Sequence, residues 1–217
     1  MENTKKAPEK GKRTLDVKSL VQLGMLIAIM IVLEFTGLGI IPIGFGFEIT
    51  IFVMPVVIGA MVVGKTGGAI LGGVFGLLSF SECFGKSAFG TLLFGLNPVA
   101  CVLICFIPRI LIGLIAGITF DALKNHDKTK VLSYAVSALV GSLVNTVLFV
   151  GGVTVVFWNN TDFIDTMVAW GIPTNTVWAF VWGIVGVNGV IEAVFNTLIG
   201  AAIAKTLNMT VNKKSIA

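Results

Sequence analysis

The chain is short of charge, of histidine and of paired cysteine. Only 12% of its 217 residues are Asp, Glu, Lys or Arg, against 56% that are hydrophobic. That balance excludes a single water-soluble core of this length and makes lipid the natural solvent. The one histidine, His126, stands in a charged segment beside Lys124 and Asp127, so neither a membrane-embedded Ser-His dyad nor an H-E-x-x-H zinc site can be built. Cys83, Cys101 and Cys105 form neither C-x-x-C pairs nor a disulfide framework, and read as buried free thiols. No metal or other cofactor is expected. The apolar segments do not alternate in polarity as barrel strands do. The net charge of +4 is confined to the ends and to short polar segments, which speaks against a nucleic-acid surface.

What the sequence does have is long apolar runs, at 17–35, 47–63, 67–84, 98–123, 131–158 and 177–204. Most reach the roughly 20 residues that cross a bilayer as a helix. The first follows a polar stretch longer than a signal-peptide n-region, with no A-x-A-like cleavage site behind it, and reads as a retained helix. The expected fold is therefore an all-α integral membrane bundle of six transmembrane helices. Residues 17–207 form this one domain, between an N-terminal tail at 1–16 and a C-terminal tail at 208–217.

Long connections (36–46, 85–97, 159–176) alternate with short ones (64–66, 124–130), so the long ones share a side. Thirteen of the fifteen Lys and Arg residues fall on the opposite side or in the tails. The exceptions are Lys86 and Arg109. The positive-inside rule then makes both termini cytoplasmic and puts the long loops outside. Trp158, Trp170, Trp178 and Trp182 cluster near that outer interface, where amphipathic rings prefer to sit. Gly/Pro punctuation in the long loops (TGLGIIPIGFG, GLNP, WGIPTN) predicts compact covers over a site open to the outside.

GAMVVGKT, from Gly59 to Thr66, matches the phosphate-binding G-x-x-x-x-G-K-[ST] pattern, but it lies in a membrane helix and a tight turn rather than between strand and helix. Asn159-Asn160-Thr161 matches a glycosylation sequon, which matters only in a secretory pathway. Glu34 and Glu48 flank the first outer loop and read as interfacial carboxylates. Small residues recur every four positions, at Gly24 and Ala28, at Gly68, Gly72 and Gly76, and at Gly113 and Gly117. Such faces let backbones approach closely, either within the bundle or, on the first helix, against another subunit.

Polar residues inside the apolar runs carry more information, because each is costly in lipid unless paired, hydrated or functional. Arg109 stands alone in CVLICFIPRILIGLIAG, roughly 18 Å below the outer end of its run at 1.5 Å per residue. Asn145 has a similar depth in the fifth run, and Asn188, Glu192 and Asn196 share one face of the sixth. Two readings stay open. Arg109 and Glu192 form a structural ion pair completed by Asn145, or these groups floor an outward-facing cavity in which Arg109 receives an anionic group.

The stretches IPIGFGFEITIFVMPVVIGAMVVGKTGGAILGGVFGLLS, NPVACVLICFIPRILIGLIAG and LVNTVLFVGG resemble the substrate-binding (S) component of energy-coupling factor (ECF) vitamin transporters, most of all its pantothenate-type branch. The resemblance runs from the first helix to the sixth. It implies a vitamin-binding subunit in the plasma membrane of a bacterium, working with a transmembrane coupling protein and two separate ATPases. Capture of the vitamin from outside would be followed by toppling of the subunit within the complex. The family's A-x-x-x-A contact with the coupling protein corresponds here to Gly24-x-x-x-Ala28, which departs at its first position. The resemblance further implies that Arg109 meets the vitamin's carboxylate and that Asn145 meets hydroxyl or amide groups; Asn188, Glu192 and Asn97 complete the expected binding set. Related branches take folate, cobalamin or other vitamins. Outside the family, an independent proton-coupled transporter with Glu192 as the titrating group is the second reading. A membrane enzyme using Glu48 or Glu192 as a base lacks a nucleophile, a metal or a cofactor partner.

Overall fold

The computed structural model describes residues 16–44, 47–127, 131–185 and 188–212. It is helical apart from one β-hairpin. Helix α1 (Val17–Thr36) starts at the Asp16 cap and ends at Gly37, whose φ of 70° turns the chain out of the helix. The hairpin pairs β1 (Ile40–Gly44) with β2 (Phe47–Thr50) in antiparallel register, Ile41 facing Ile49 and Pro42 facing Glu48. Helices α2 (Val53–Val62) and α3 (Lys65–Glu82) follow, joined at Gly64, where φ is 104° and a side chain would be strained. Then come α4 (Ala88–Leu96), α5 (Pro98–Leu123), α6 (Leu132–Phe157), α7 (Thr161–Ala169), α8 (Val177–Val185) and α9 (Asn188–Phe195). A π-helical turn, Asn196–Gly200, leads into α10 (Ala201–Asn212).

Several apolar runs divide differently from the sequence expectation. The run at 47–63 is a β-strand followed by a helix of 10 residues, because Phe47–Thr50 finds a hairpin partner across the turn. Two of the expected loops contain helices, each with a side-chain cap at its start. The Ser87 hydroxyl accepts from Gly90 N ahead of α4, and Asn160 Oδ1 accepts from Phe163 N ahead of α7. Within the run at 177–204 the described residues form α8, α9 and the π-helical turn into α10, and helix persists to Asn212. Among the described residues three helices, α1, α5 and α6, are long and apolar enough to cross a membrane. The G-x-x-x-x-G-K-T segment is helix, Gly64 turn and helix, without the strand a phosphate loop requires.

The core comes in two parts. One gathers Met30, Phe52, Val56, Leu71, Phe75, Ile112 and Ala138. Its helices meet along a glycine seam: a Cβ at Gly72 would collide with the Arg109 carbonyl, and one at Gly113 with the Gly68 backbone. The small-residue faces of α3 and α5 are thus internal packing seams. Gly24 has nothing within 4 Å of its outward face, and Ala28 beside it is exposed along with Val21, Met25 and Val32. The other part of the core gathers Cys101, Ile104, Val153, Phe157, Phe163, Met167 and Phe180 from α5 to α8.

Candidate functional site

The two core parts divide along the lengths of the same helices, and the buried polar residues lie at the division. On α5 the first part begins at Ile112 and the second ends at Cys105, with Arg109 between them. On α6 Asn145 falls between Ala138 and Val150, and on α3 Ser79 falls between Phe75 and Cys83. Each helix therefore trades apolar side chains for polar ones at a common depth.

Arg109 is only 6% exposed. Its neighbour Pro108 explains one of its bonds. Proline has no N–H, so the Ile104 carbonyl loses its usual helical donor. Arg109 Nη1 donates to that carbonyl instead, at 3.4 Å. Nη2 donates to Ser79 Oγ at 3.3 Å, which ties α5 to α3. The guanidinium carbon lies 4.5 Å from the ring centre of Phe149 and 5.2 Å from that of Phe75, within cation–π range. Among the described residues, Arg109 Nε has no hydrogen-bond partner, and neither has Asn145 Oδ1. Buried polar atoms left this way call for an explanation.

Both residues face one cavity, whose wall also includes Thr50, Ser79, Glu82, Phe149 and Glu192. It offers about 140 Å³ to the centres of water molecules, many times the roughly 10–15 Å³ needed to hold one water. Asn145 Nδ2 donates to Glu192 Oε1 at 3.5 Å, bridging α6 and α9. The ion pairs among the described residues are Lys86–Glu34 and Lys124–Asp121, so an Arg109–Glu192 pair is not one of them. The first of these pairs, with Ser81 donating to Glu34 at 3.5 Å, ties the end of α1 to the segment ahead of α4. That accounts for Lys86, the one basic residue of the long loops.

The structure brings Arg109, Asn145 and Glu192 together around this cavity and leaves Asn97 outside it. Asn97 is the cap of α5, accepting from Ala100 N at 3.1 Å. The side chains of Asn188 and Glu48 lie outside the described residues. Sequence reasoning missed Ser79, Glu82 and Cys83, although their helical spacing at the end of a glycine-rich apolar run was a readable signal. It also missed Phe149, which carries no signal apart from its fold context.

The arrangement is a buried, asymmetrically polar cavity with a single guanidinium, in a chain with three membrane-length helices among the described residues. Residues 18–204 match the family described as ECF transporter, substrate-specific component. The chain belongs to this family. As an ECF S component it is a transporter subunit rather than an enzyme, with ATP hydrolysis on separate subunits, and it takes a vitamin as its class of substrate. It is 33% identical over 180 residues to the pantothenate transporter PanT of Leuconostoc mesenteroides subsp. mesenteroides, covering 78% of this chain and 81% of that protein. It is 29% identical over 174 residues to the pantothenic acid transporter PanT of Lactococcus lactis subsp. cremoris, covering 73% of this chain and 86% of that one.

Proposed function

We propose that this S component captures pantothenate from the outer face of a bacterial plasma membrane and holds it in the Arg109 cavity. The observation that carries the reading is the guanidinium itself: buried, with an unpartnered Nε and no ion pair to Glu192. A carboxylate arriving there gains charge-assisted hydrogen bonds in a site of low dielectric. The aromatic faces of Phe149 and Phe75 stabilise the charge without neutralising it, so an anion is still attracted. Asn145 Oδ1 is free to accept from a hydroxyl or amide N–H, and Glu192 adds a second acceptor beside it. Asn188, which opens α9, would supply a further polar contact. The names of the two relatives support pantothenate over the other vitamins of the class.

In this reading α1, α2, α3, α5, α6 and the α8–α10 segment make six spans with both termini in the cytoplasm. The hairpin, α4 and α7 then lie on the outer side, next to the tryptophans, and cover the cavity. The exposed face around Gly24 and Ala28 is the contact for the transmembrane coupling protein. Lipid covers the remaining apolar surface. Equilibrium binding of radiolabelled pantothenate, folate, riboflavin and cobalamin to the purified chain tests the substrate. Saturable binding of pantothenate alone is expected; saturable binding of another of these vitamins in its place would overturn the assignment.

A further inference from the structure

The three cysteines, unremarkable in the sequence, converge in the fold. Cys101 and Cys105 are one helical turn apart on α5 and share a face; Cys83 closes the end of α3. Cys83 Sγ lies 3.4 Å from Cys101 Sγ and 3.9 Å from Cys105 Sγ, and all three sulfurs fall within 4.8 Å of one another. All three are free thiols and buried, yet each contributes to the wall of the Arg109 cavity, which gives an ion a route to them.

A zinc–thiolate bond is about 2.3 Å long, so three sulfurs arranged around one such ion stand about 4.0 Å apart. The observed spacings of 3.4 and 3.9 Å, and the third within 4.8 Å, each lie within about 1 Å of that arrangement. A disulfide would need a sulfur pair to close to about 2.05 Å and would leave the third thiol aside. Thiolate sulfur selects soft or borderline cations with filled d shells over magnesium or calcium. We propose that Cys83, Cys101 and Cys105 form a three-thiolate site for a divalent cation of the zinc and cadmium class.

On binding, each S–H bond is replaced by a sulfur–metal bond, and the protons leave to water through the cavity. A divalent ion with three thiolates carries a net charge of −1, and the Arg109 guanidinium in the same wall offsets it. Cysteine's weak polarity explains how such a cluster is tolerated in an apolar core when no metal is bound. The occupied site would hold Arg109's charge and weaken carboxylate binding, a consequence that rests on the proposed pantothenate reading. The site itself rests only on the sulfur geometry.

The test uses the purified full-length chain, reduced with a phosphine that is then removed without air, and titrated with cadmium(II). One cadmium per chain is expected, with a thiolate-to-metal absorption band in the near ultraviolet. Saturating cadmium should protect all three thiols from alkylation, read by mass spectrometry on the wild-type protein without any reliance on a variant's folding. Cys101→Ser should weaken cadmium binding about tenfold or more. Absence of the band, unchanged alkylation of the three thiols, or undiminished cadmium affinity in Cys101→Ser would each overturn the proposal. Antagonism between cadmium and pantothenate is read in the same samples. A chain that binds cadmium through its thiols but no pantothenate upholds the metal site and refutes the substrate assignment.

Discussion

The two parts of the core are closed in different ways. Around Leu71 and Ile112, backbone meets backbone: the glycines of α3 and α5 leave no room for a Cβ between them. Around Phe163, closure is by rings, with centroids 5.7 Å from Phe157, 5.8 Å from Phe180 and 6.5 Å from Phe89. The first part rests on α1, α2, α3, α5 and α6, whereas the second shares α5 and α6 and adds the short helices α4, α7 and α8. Backbone contact has one well-defined separation. Rings can tilt and slide at small cost, because each contact is weak and directional only in part. The comparison separates a frame, which sets the depth and direction of Arg109, from a cover, which can adapt to what Arg109 holds.

That contrast can be broken at several points. Gly113→Leu strikes the frame where it has no slack. Overpacking commonly costs about 1–3 kcal/mol and more against rigid backbone, so this change should exceed about 3 kcal/mol and abolish recovery of folded protein. Size-exclusion chromatography of a fluorescent fusion checks it. Asn145→Ala removes polar atoms at the boundary between frame and cover. Loss of one buried hydrogen-bonding partner should weaken pantothenate binding by about tenfold, measured by isothermal titration calorimetry, with little change in melting temperature.

Asn97→Ala separates cap from ligand. It should lower stability by about 1 kcal/mol, the usual worth of a helix cap, and leave vitamin affinity unchanged; thermal melting and calorimetry together read both. Pro108→Ala is the subtlest. It restores an N–H that competes with Arg109 Nη1 for the Ile104 carbonyl. Affinity should fall by about threefold as the guanidinium loses one anchor, while thermal stability holds or rises.

Much of the frame was legible in the sequence. The runs at 98–123 and 131–158 correspond to α5 and α6 within a residue at each end, since continuous apolar composition and the Asn97-Pro98 start leave little ambiguity. The glycine spacing on α3 and α5 identified the seam, because only small residues permit that approach. The cover was less legible. Hairpin pairing between Ile41 and Ile49 is a contact between segments, and nothing in the apolar run at 47–63 marks where strand yields to helix. The π-helical turn at Asn196–Gly200 lies against α6 and α2, and the apolar pattern of the run does not mark it.

The site divides in the same way. Arg109, Asn145 and Glu192 stood out because a polar group in an apolar run is costly unless paired, hydrated or functional. Asn97 entered with the family resemblance, and the structure gives its side chain a helix-cap bond outside the cavity wall. The cysteines were read as buried free thiols, as the structure has them, but their sequence separation hides a cluster that only the packing of α3 against α5 assembles.

The central claim is that the charge of Arg109 recognises the charge of the vitamin. A thermodynamic cycle isolates that pair: wild-type and Arg109→Gln proteins, each titrated by calorimetry with pantothenate and with its neutral analogue, in which the carboxylate is replaced by a primary alcohol. Wild type should prefer the acid by about a hundredfold, the order expected for a buried charge-assisted contact, and Arg109→Gln should bind the two ligands about equally. A preference for the acid that survives the substitution intact would contradict the account and place carboxylate recognition elsewhere in the cavity.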